Sequence, residues 1–175
     1  FHKAGFQSPI LVDAQAAPDP DFPTVAFPNP EEPGAIDLAL ETAKSFDAHL
    51  VIANDPDADR CAAAVNDPVT GWRMLRGDEL GVIFAESIAR KIDSGIFANS
   101  IVSSSIVKKI AAHYNLEFKE TLTGFKWLAK IENLTFGYEE ALGYAVDAIT
   151  VNDKDGISAA ITLAQIATDL ASEGK

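Results

Sequence analysis

Short apolar runs alternate with amphipathic stretches along the chain, a pattern typical of a sheet covered by helices in an α/β protein. Four apolar runs in the first part predict strands, at residues 10–12, 50–53, 61–65 and 72–75. Helical periodicity predicts a helix at residues 34–46. Residues 18–33 hold six prolines, but the interleaved Phe22, Val25 and Phe27 indicate an ordered, extended segment. The predicted order of this part is β-α-β-β-β.

A second α/β unit begins near residue 76. Its apolar runs predict strands at residues 101–103, 116–122 and 135–138. Its amphipathic stretches predict helices at residues 80–92, 106–114 and 124–131, and a final one that ends near residue 170. Asp78, Thr123 and either Asp153 or Asp155 are the predicted N-caps, because short polar side chains accept hydrogen bonds from the first turn of a helix.

Composition excludes several classes of protein. The net charge of −12 over 175 residues argues against a nucleic-acid partner, which needs a basic surface, but it does not exclude a small phosphorylated substrate. The longest apolar runs are too short for a membrane span. A single cysteine, Cys61, excludes an intrachain disulfide and fits a reducing compartment. The chain begins at Phe1 without an initiator Met, so we expect a fragment of a longer protein.

Three carboxylates follow the predicted strand at residues 50–53, in the sequence Asn-Asp-Pro-Asp-Ala-Asp-Arg. Asp55, Asp57 and Asp59 repel one another unless a cation holds them together, and an all-oxygen ligand set suits Mg²⁺ better than zinc or copper. An EF-hand is excluded because Arg60 and Asn66 stand where that loop needs Gly and Glu. A haloacid-dehalogenase-type phosphatase usually continues its Asp-x-Asp differently. A polar turn with solvated carboxylates remains an alternative.

Further residues are candidates for ligand binding or catalysis. Arg60 can hold a phosphate oxygen in two-point fashion or simply neutralise the aspartates. Gly124 lies in a strand-to-helix turn, a place where α/β sheets bind ligands, although a capped helix explains the turn equally well. Glu139 and Glu140 lie at a strand end between glycines, where a pair of carboxylates can accept sugar hydroxyl hydrogens or remain solvated turn residues. Lys154 lies in an ordinary helix-start sequence, and this local sequence predicts only a charged surface residue.

Taken together, four segments resemble the phosphohexomutase superfamily, which includes phosphoglucomutases, phosphomannomutases and phosphopentomutases. The segments, in order, are Asp-Pro-Asp-Ala-Asp-Arg, Thr-Gly-Phe-Lys-Trp, Gly-Tyr-Glu-Glu-Ala-x-Gly-Tyr and Asp-Lys-Asp-Gly. The resemblance implies two consecutive three-layer α/β domains with mixed sheets, the second and third domains of that family. They would be residues 1–75, truncated at the N-terminus and metal-binding, and residues 76–175, sugar-binding.

The resemblance also implies a role for each candidate residue. Mg²⁺ would be held by the three aspartates of the first segment, with Arg60 in the phosphate region. Thr123 and Gly124 would face the sugar, Glu139 would bind its hydroxyls, and Lys154 would be an acid/base group. Ala141 stands where the common family pattern has Ser, which weakens the prediction of strict glucose specificity and resembles the branch that contains phosphopentomutases.

The expected parent enzyme is a cytoplasmic phosphoglucomutase that interconverts glucose 1-phosphate and glucose 6-phosphate through a phosphoserine, with glucose 1,6-bisphosphate as intermediate. Neither the family's serine loop nor its Arg-x-Ser-Gly-Thr-Glu-Pro-like phosphate clamp occurs in this sequence. We therefore expect missing first and fourth domains as partners, and no mutase activity from the isolated chain. A phosphopentomutase or phosphomannomutase fragment is the alternative within the family. Outside it, the alternatives are a metal-dependent phosphatase with an Asp nucleophile and a non-catalytic module that binds Mg²⁺ or sugar phosphate.

Overall fold

The computed structural model describes residues 1–174, which form two sheets with helices packed against them. The strands are β1 (Leu50–Ala53), β2 (Ala62–Asp67), β3 (Gly71–Met74), β4 (Ile96–Ser100), β5 (Glu117–Thr121), β6 (Leu134–Glu139) and β7 (Gly143–Ala145). The α-helices are α1 (Asp37–Ser45), α2 (Gly77–Ala89), α3 (Ile106–His113), α4 (Phe125–Leu128) and α5 (Gly156–Ser172). Two short 3-10 helices, His2–Ala4 and Asp13–Gln15, precede α1. The α/β fold prediction is confirmed.

The first sheet has the order β1-β2-β3, and its neighbouring strands are antiparallel. Successive side chains of a strand point to opposite faces, and small residues on β2 allow close packing on both: Ala64 packs with Val51 and with Ala43 of α1, whereas its neighbour Ala63 belongs to the main core. Helix α1 therefore covers one face of this sheet, and the second unit covers the other.

The second sheet is mixed and has the order β5-β4-β6-β7. Strand β4 is parallel to both β5 and β6, and β7 returns antiparallel to β6. Helices α2, α3 and α5 contribute to the core on one face, and α4 packs with Ala98 on the other. Because β4, β5 and β6 are parallel, their carboxyl ends lie at one edge, where α/β sheets bind ligands.

Three strand predictions differ from the structure. Residues 10–12 form no strand, and Ile10 and Leu11 are 52% and 59% exposed, because within the described residues they have no strand to pair with. The strand predicted at residues 101–103 is also wrong. The strand in this region is β4, which ends at Ser100. Its last residues, Asn99 and Ser100, are buried although they are polar, so the apolar pattern did not reveal them. The predictions did not include β7, since Gly143–Ala145 is too short to show a pattern.

Two of the predicted N-caps are wrong as well. Helix α2 begins after Arg76, so Asp78 lies in its first turn, where it accepts hydrogen bonds from the Tyr138 hydroxyl and the Ser104 N–H. Helix α4 begins after Gly124, and Thr123 makes no capping bond. Asp155 does cap α5, because its carboxylate accepts from the N–H groups of the first turn.

The two units share one apolar core, which fixes their relative positions at the site. Cys61 is fully buried there, and burial raises the pKa of its thiol to about 12, which suits a core residue rather than a nucleophile. The N–H of Cys61 donates to the carbonyl of Leu142 at 3.1 Å, and Arg60 forms a bridge with Gly143. The aspartate loop therefore leads directly onto the second sheet. Among the described residues, no helix is long and apolar enough to cross a membrane.

Candidate functional site

The aspartate loop between β1 and β2 is closed by its own hydrogen bonds. The Asn54 side-chain amide donates to the Arg60 carbonyl at 2.6 Å, and the Arg60 N–H donates to Oδ1 of Asp55 at 3.0 Å. Ala58 occupies the left-handed region, with φ 56°, which reverses the chain within the loop. This folding brings one carboxylate oxygen from each aspartate of the loop within 4.8 Å of the others.

The three carboxylates fit a small, hard cation. Ligand oxygens around octahedral Mg²⁺ lie about 2.9 Å apart when neighbouring and about 4.1 Å apart when opposite, so oxygens within 4.8 Å of one another need only a small inward movement to bind the ion. Burial raises the pKa of Asp55, and the neighbouring charges of Asp59 and Asp57 add to this effect, against the Arg60 N–H bond that lowers it. A bound divalent ion would relieve both the burial cost and the repulsion. Asp55, Asp57 and Asp59 therefore fit the expected Mg²⁺ site.

Two cationic side chains already contact this loop. The Arg60 Nε lies 3.6 Å from Asp55 Oδ2 and 3.9 Å from Asp59 Oδ1. The Lys154 ammonium lies 2.8 Å from Asp59 Oδ2 and 3.4 Å from Asp153. Burial lowers the pKa of Lys154, but the hydrogen bond to Asp59 and the charge of Asp153 outweigh burial and raise it.

Lys154 is held in place by residues of the second unit. Its stem fills the space beside Gly143, where a Cβ would collide with it, and its ammonium lies 5.5 Å from the centre of the Phe125 ring. Phe125 follows directly on Gly124 in the turn predicted to face the sugar. One lysine thus joins the aspartate loop to the second candidate segment.

The start of α5 packs on the back of the aspartate loop. The Gly156 N–H donates to the Ala58 carbonyl at 3.0 Å. A Cβ on Gly156 would collide with the carbonyl of Arg60 and crowd that of Ala58, so only glycine permits this approach. The loop's shape therefore depends on an element from the far end of the chain.

The turn after β5 and the end of β6 meet at the carboxyl edge of the second sheet. Gly124, with φ 113°, donates its N–H to Oε1 of Glu139 at 2.5 Å. Among the described residues, Oε2 of Glu139 has no hydrogen-bond partner, so it can accept from a ligand hydroxyl. Thr123 and Ala141 are both exposed nearby in the chain.

Glu140 differs sharply from its neighbour Glu139. Its Oε2 accepts hydrogen bonds from Ser103 at 2.6 Å and Ser100 at 3.2 Å. Its N–H also donates to the Ser103 hydroxyl. Glu140 therefore anchors the end of β6, which leaves Glu139 as the carboxylate available to a ligand.

The structure brings most of the predicted site residues into one contact network, which runs from the aspartates through Arg60 and Lys154 to Gly124 and Glu139. The side chains of Thr123 and Ala141 make no described bond to it. Sequence reasoning missed Asn54, Phe125 and Gly156, which position this network. Two signals in the sequence could have revealed two of them: Asn54 stands directly before the first Asp of the loop, and Gly156 directly follows the cap at Asp155.

A fourth residue that sequence reasoning missed is Glu31, from the proline-rich segment. Burial raises the pKa of Glu31, partly offset by the charge of Arg60, and Glu140 raises it further. Glu31 lines a cavity of about 400 Å³ together with Arg76, Asp78 and Glu140. The proline-rich segment therefore approaches the site as an ordered part of the structure.

Two family models match the chain consecutively. Residues 1–71 match phosphoglucomutase/phosphomannomutase, alpha/beta/alpha domain II, and residues 76–174 match the corresponding domain III. The chain therefore belongs to the phosphoglucomutase/phosphomannomutase family, within the phosphohexomutase superfamily, and corresponds to its second and third domains. The boundary at residues 75 and 76 remains a prediction from the sequence, and Lys175 lies outside the described residues.

The named relatives include sugar-phosphate mutases and a sugar-bisphosphate synthase. A Haemophilus influenzae protein named "Probable phosphomannomutase" is 49% identical over 99% of this chain and 36% of its own length. The phosphoribomutase of Saccharomyces cerevisiae is 43% identical over 89% of the chain and 28% of its own length. The human glucose 1,6-bisphosphate synthase is 38% identical over 97% of the chain and 30% of its own length. The chain thus spans about a third of the length of these relatives.

Solved structures show the same fold at low sequence identity. A phosphoglucomutase/phosphomannomutase family protein from Burkholderia thailandensis is 18% identical, with a TM-score of 0.69 over 79% of this chain and 30% of its own. The Aspergillus fumigatus N-acetylphosphoglucosamine mutase, solved with GlcNAc-6P and magnesium, is 18% identical. Its TM-score is 0.52 over 78% of this chain and 37% of its own.

Proposed function

We propose that the chain supplies the metal-binding and sugar-binding domains of a Mg²⁺-dependent phosphoglucomutase, which interconverts glucose 1-phosphate and glucose 6-phosphate through a phosphoserine on another domain. The observation that carries the proposal is the contact of Lys154 with both Asp59 of the aspartate loop and Phe125 of the sugar-facing turn. A mutase must hold the metal and the sugar within one site, and this contact joins the two halves.

Each residue has a distinct part in this proposal. Mg²⁺ held by the three aspartates would supply positive charge opposite the transferring phosphoryl group. Arg60, whose Nε lies beside two of these carboxylates, would contact a phosphate oxygen. Glu139 would accept a sugar hydroxyl hydrogen through its free Oε2, and Lys154 would hold or donate a proton. Thr123, Gly124 and Ala141 would line the sugar side.

The proposal includes partners outside this chain. A first domain would carry the phosphoserine loop and a fourth would clamp the distal phosphate, with glucose 1,6-bisphosphate as the intermediate between them. An Aspergillus fumigatus mutase of the same fold has been solved with glucose 1,6-bisphosphate, at a TM-score of 0.50. A cytoplasmic location belongs to the proposal too, supported by the single buried cysteine.

A pentose phosphate is the second candidate substrate. Relatives named phosphoribomutase and phosphopentomutase are 43% and 38% identical to the chain. Ala141 supports this candidate, because replacing the usual Ser removes a hydroxyl that could contact a hexose. A mannose phosphate is a third candidate, supported by the name of the Haemophilus influenzae relative.

A domain graft tests the proposal. The chain would replace the matching third of the Haemophilus influenzae relative, and coupled assays would follow glucose, mannose and ribose 1-phosphates. We expect Mg²⁺-dependent turnover with glucose 1-phosphate, abolished by Asp57→Asn in the graft. Preference for ribose 1-phosphate would favour the pentose candidate.

The isolated chain provides the complementary test. We expect no turnover in the same assay, because the chain lacks a serine loop, together with measurable Mg²⁺ binding by calorimetry. Turnover by the isolated chain, with contaminating mutase excluded, would contradict this expectation. A folded graft that binds Mg²⁺ and sugar phosphate but never turns over would favour the non-catalytic binding module.

A further inference from the structure

Lys154 combines burial with a direct ion pair to one of the expected metal ligands. Its side chain is only 20% exposed, and its ammonium lies 2.8 Å from Asp59 Oδ2. The backbone that carries it is fixed, because the next residue, Asp155, donates its N–H to Tyr144 and caps α5. The ammonium is therefore attached to the second unit and placed against the loop of the first.

The cationic side chains of Lys154 and Arg60 make the three aspartates unequally available to a metal ion. Asp59 faces Lys154 through Oδ2 and Arg60 through Oδ1, and Asp55 faces the Arg60 side chain and N–H. Among the described residues, Asp57 is the one aspartate of the loop without such a partner. A cation that takes Oδ2 of Asp59 as a ligand therefore competes with the Lys154 ammonium for that oxygen.

We propose that Lys154 is a tethered counter-ion that competes with Mg²⁺ for Asp59 and so sets the loop's affinity for the metal. This inference rests on the Mg²⁺ site of the proposed function. Without metal, the ammonium offsets one of three mutually repelling carboxylates. When Mg²⁺ takes Asp59, the ammonium shifts toward Asp153, whose Oδ1 already lies 3.4 Å away.

The surrounding packing makes this exchange local. Gly143 leaves room for the lysine stem, and the Phe125 ring lies beside the ammonium, so the aliphatic chain keeps its contacts while the charged end moves. Phe125 follows Gly124 in the turn expected to face the sugar. Metal binding thereby changes the position of a charge on the sugar side of the site.

The test is calorimetric titration of the 175-residue chain with MgCl₂. Lys154→Met removes the charge and keeps an unbranched stem for packing, and we expect it to bind Mg²⁺ about tenfold more tightly, as for a unit charge removed from a few ångströms away. The matched control is Lys130→Met, because the Lys130 ammonium lies over Trp127, 4.4 Å from the centre of its ring. We expect the Mg²⁺ affinity of this variant to stay within about twofold of that of the unmutated chain. Unchanged or weaker binding by folded Lys154→Met would overturn the inference.

A measurement on the unmutated chain keeps the inference testable if Lys154→Met fails to fold. The ¹⁵Nζ resonance of Lys154, assigned through its side-chain carbons, should shift on MgCl₂ addition with the dissociation constant found by calorimetry. Lys130 should not respond. A Lys154 resonance that stays unchanged while Mg²⁺ binds would contradict the exchange.

The two proposals fail in different ways. If neither the unmutated chain nor Lys154→Met binds Mg²⁺, the metal assignment is wrong and the inference falls with it. If both bind equally well, the metal site stands and the counter-ion role is wrong.

Discussion

Asp55, Asp57 and Asp59 lie in one loop but have different surroundings. Asp55 is partly buried and accepts the Arg60 N–H, Asp59 pairs with Lys154, and Asp57 is exposed. A cation gains most from Asp57, because this carboxylate loses no protein partner on binding. The three aspartates, which alternate along the sequence, therefore differ in the free energy that each loses on becoming a metal ligand.

Replacing Asp57 tests the metal site with little risk to the fold. We expect Asp57→Asn to weaken Mg²⁺ binding at least about tenfold, because one anionic ligand of three is lost, while the free energy of unfolding without metal stays unchanged or rises as repulsion falls. Calorimetry and thermal unfolding measure the two effects. Asp93→Asn, at an exposed position before β4, is the matched control and should leave Mg²⁺ binding unchanged.

The two adjacent glutamates should separate ligand binding from stability. Glu139→Gln can still accept the Gly124 N–H but loses the acceptor at Oε2, so we expect weaker glucose 1,6-bisphosphate binding with unchanged stability. Glu140→Gln exchanges a carboxylate that accepts two serine hydroxyls, so it should cost about 1–2 kcal/mol of stability and leave ligand binding intact. Calorimetry and denaturant unfolding of both variants check this, and equal effects on both properties would contradict it.

Residue types in the site could be predicted from sequence, but their partners could not. The aspartates, Arg60 and Glu139 stand in short motifs whose chemistry is visible locally. The contact of Lys154 with Asp59 joins residues far apart in the chain, and its neighbourhood alone suggested only surface charge. The role of Phe125 beneath the ammonium depends on the same long-range packing.

Among the elements, the start of α5 has the strongest influence on the site. We expect Gly156→Ala to destabilise the chain by about 2–3 kcal/mol, because the added Cβ collides with the loop backbone, and to weaken Mg²⁺ binding in the protein that remains folded. Ser172→Ala, at the exposed end of the same helix, should change stability by less than about 0.5 kcal/mol. Denaturant unfolding with and without MgCl₂ measures both variants. Wild-type Mg²⁺ affinity in Gly156→Ala would show that α5 does not shape the loop.

Elements with clear periodicity were predicted correctly, and those defined by pairing were not. Helices α1, α3 and α5 and strands β1, β5 and β6 lie close to their predicted positions. Strand β4 was misplaced because its last residues are buried polar groups, which read as a turn in the sequence. Residues 10–12 have the composition of a strand, but composition alone provides no hydrogen-bonding neighbour.

Across the whole molecule, Glu79 links the two units through opposite charges. The Arg76 N–H and the Arg73 guanidinium hold the pKa of Glu79 below its usual value, and Arg73 lies on β3, whereas Glu79 lies in α2. Because the folded state lowers this pKa, the stabilisation is present above the unfolded pKa and is lost as pH falls through the folded one.

The stability of the chain should therefore depend on Glu79 at neutral but not at strongly acidic pH. We expect Glu79→Gln to lower the free energy of unfolding by about 1 kcal/mol at pH 7, with the difference shrinking below about pH 4.5. Urea unfolding across this range measures it. Glu132→Gln, at an exposed position, should show no such pH dependence, and a constant difference for Glu79→Gln would contradict the ionic origin.

The bond from Gly156 to the Ala58 carbonyl also has a consequence for the order in which the chain folds during synthesis. Its two ends are separated by about 100 residues, and contacts of long sequence separation form late. While the first unit leaves the ribosome, the three aspartates emerge without the helix that supports their loop and without the lysine that offsets their charge. The loop can reach its final geometry only after α5 has been translated, so premature termination before α5 should leave a first unit with a poorly formed metal site.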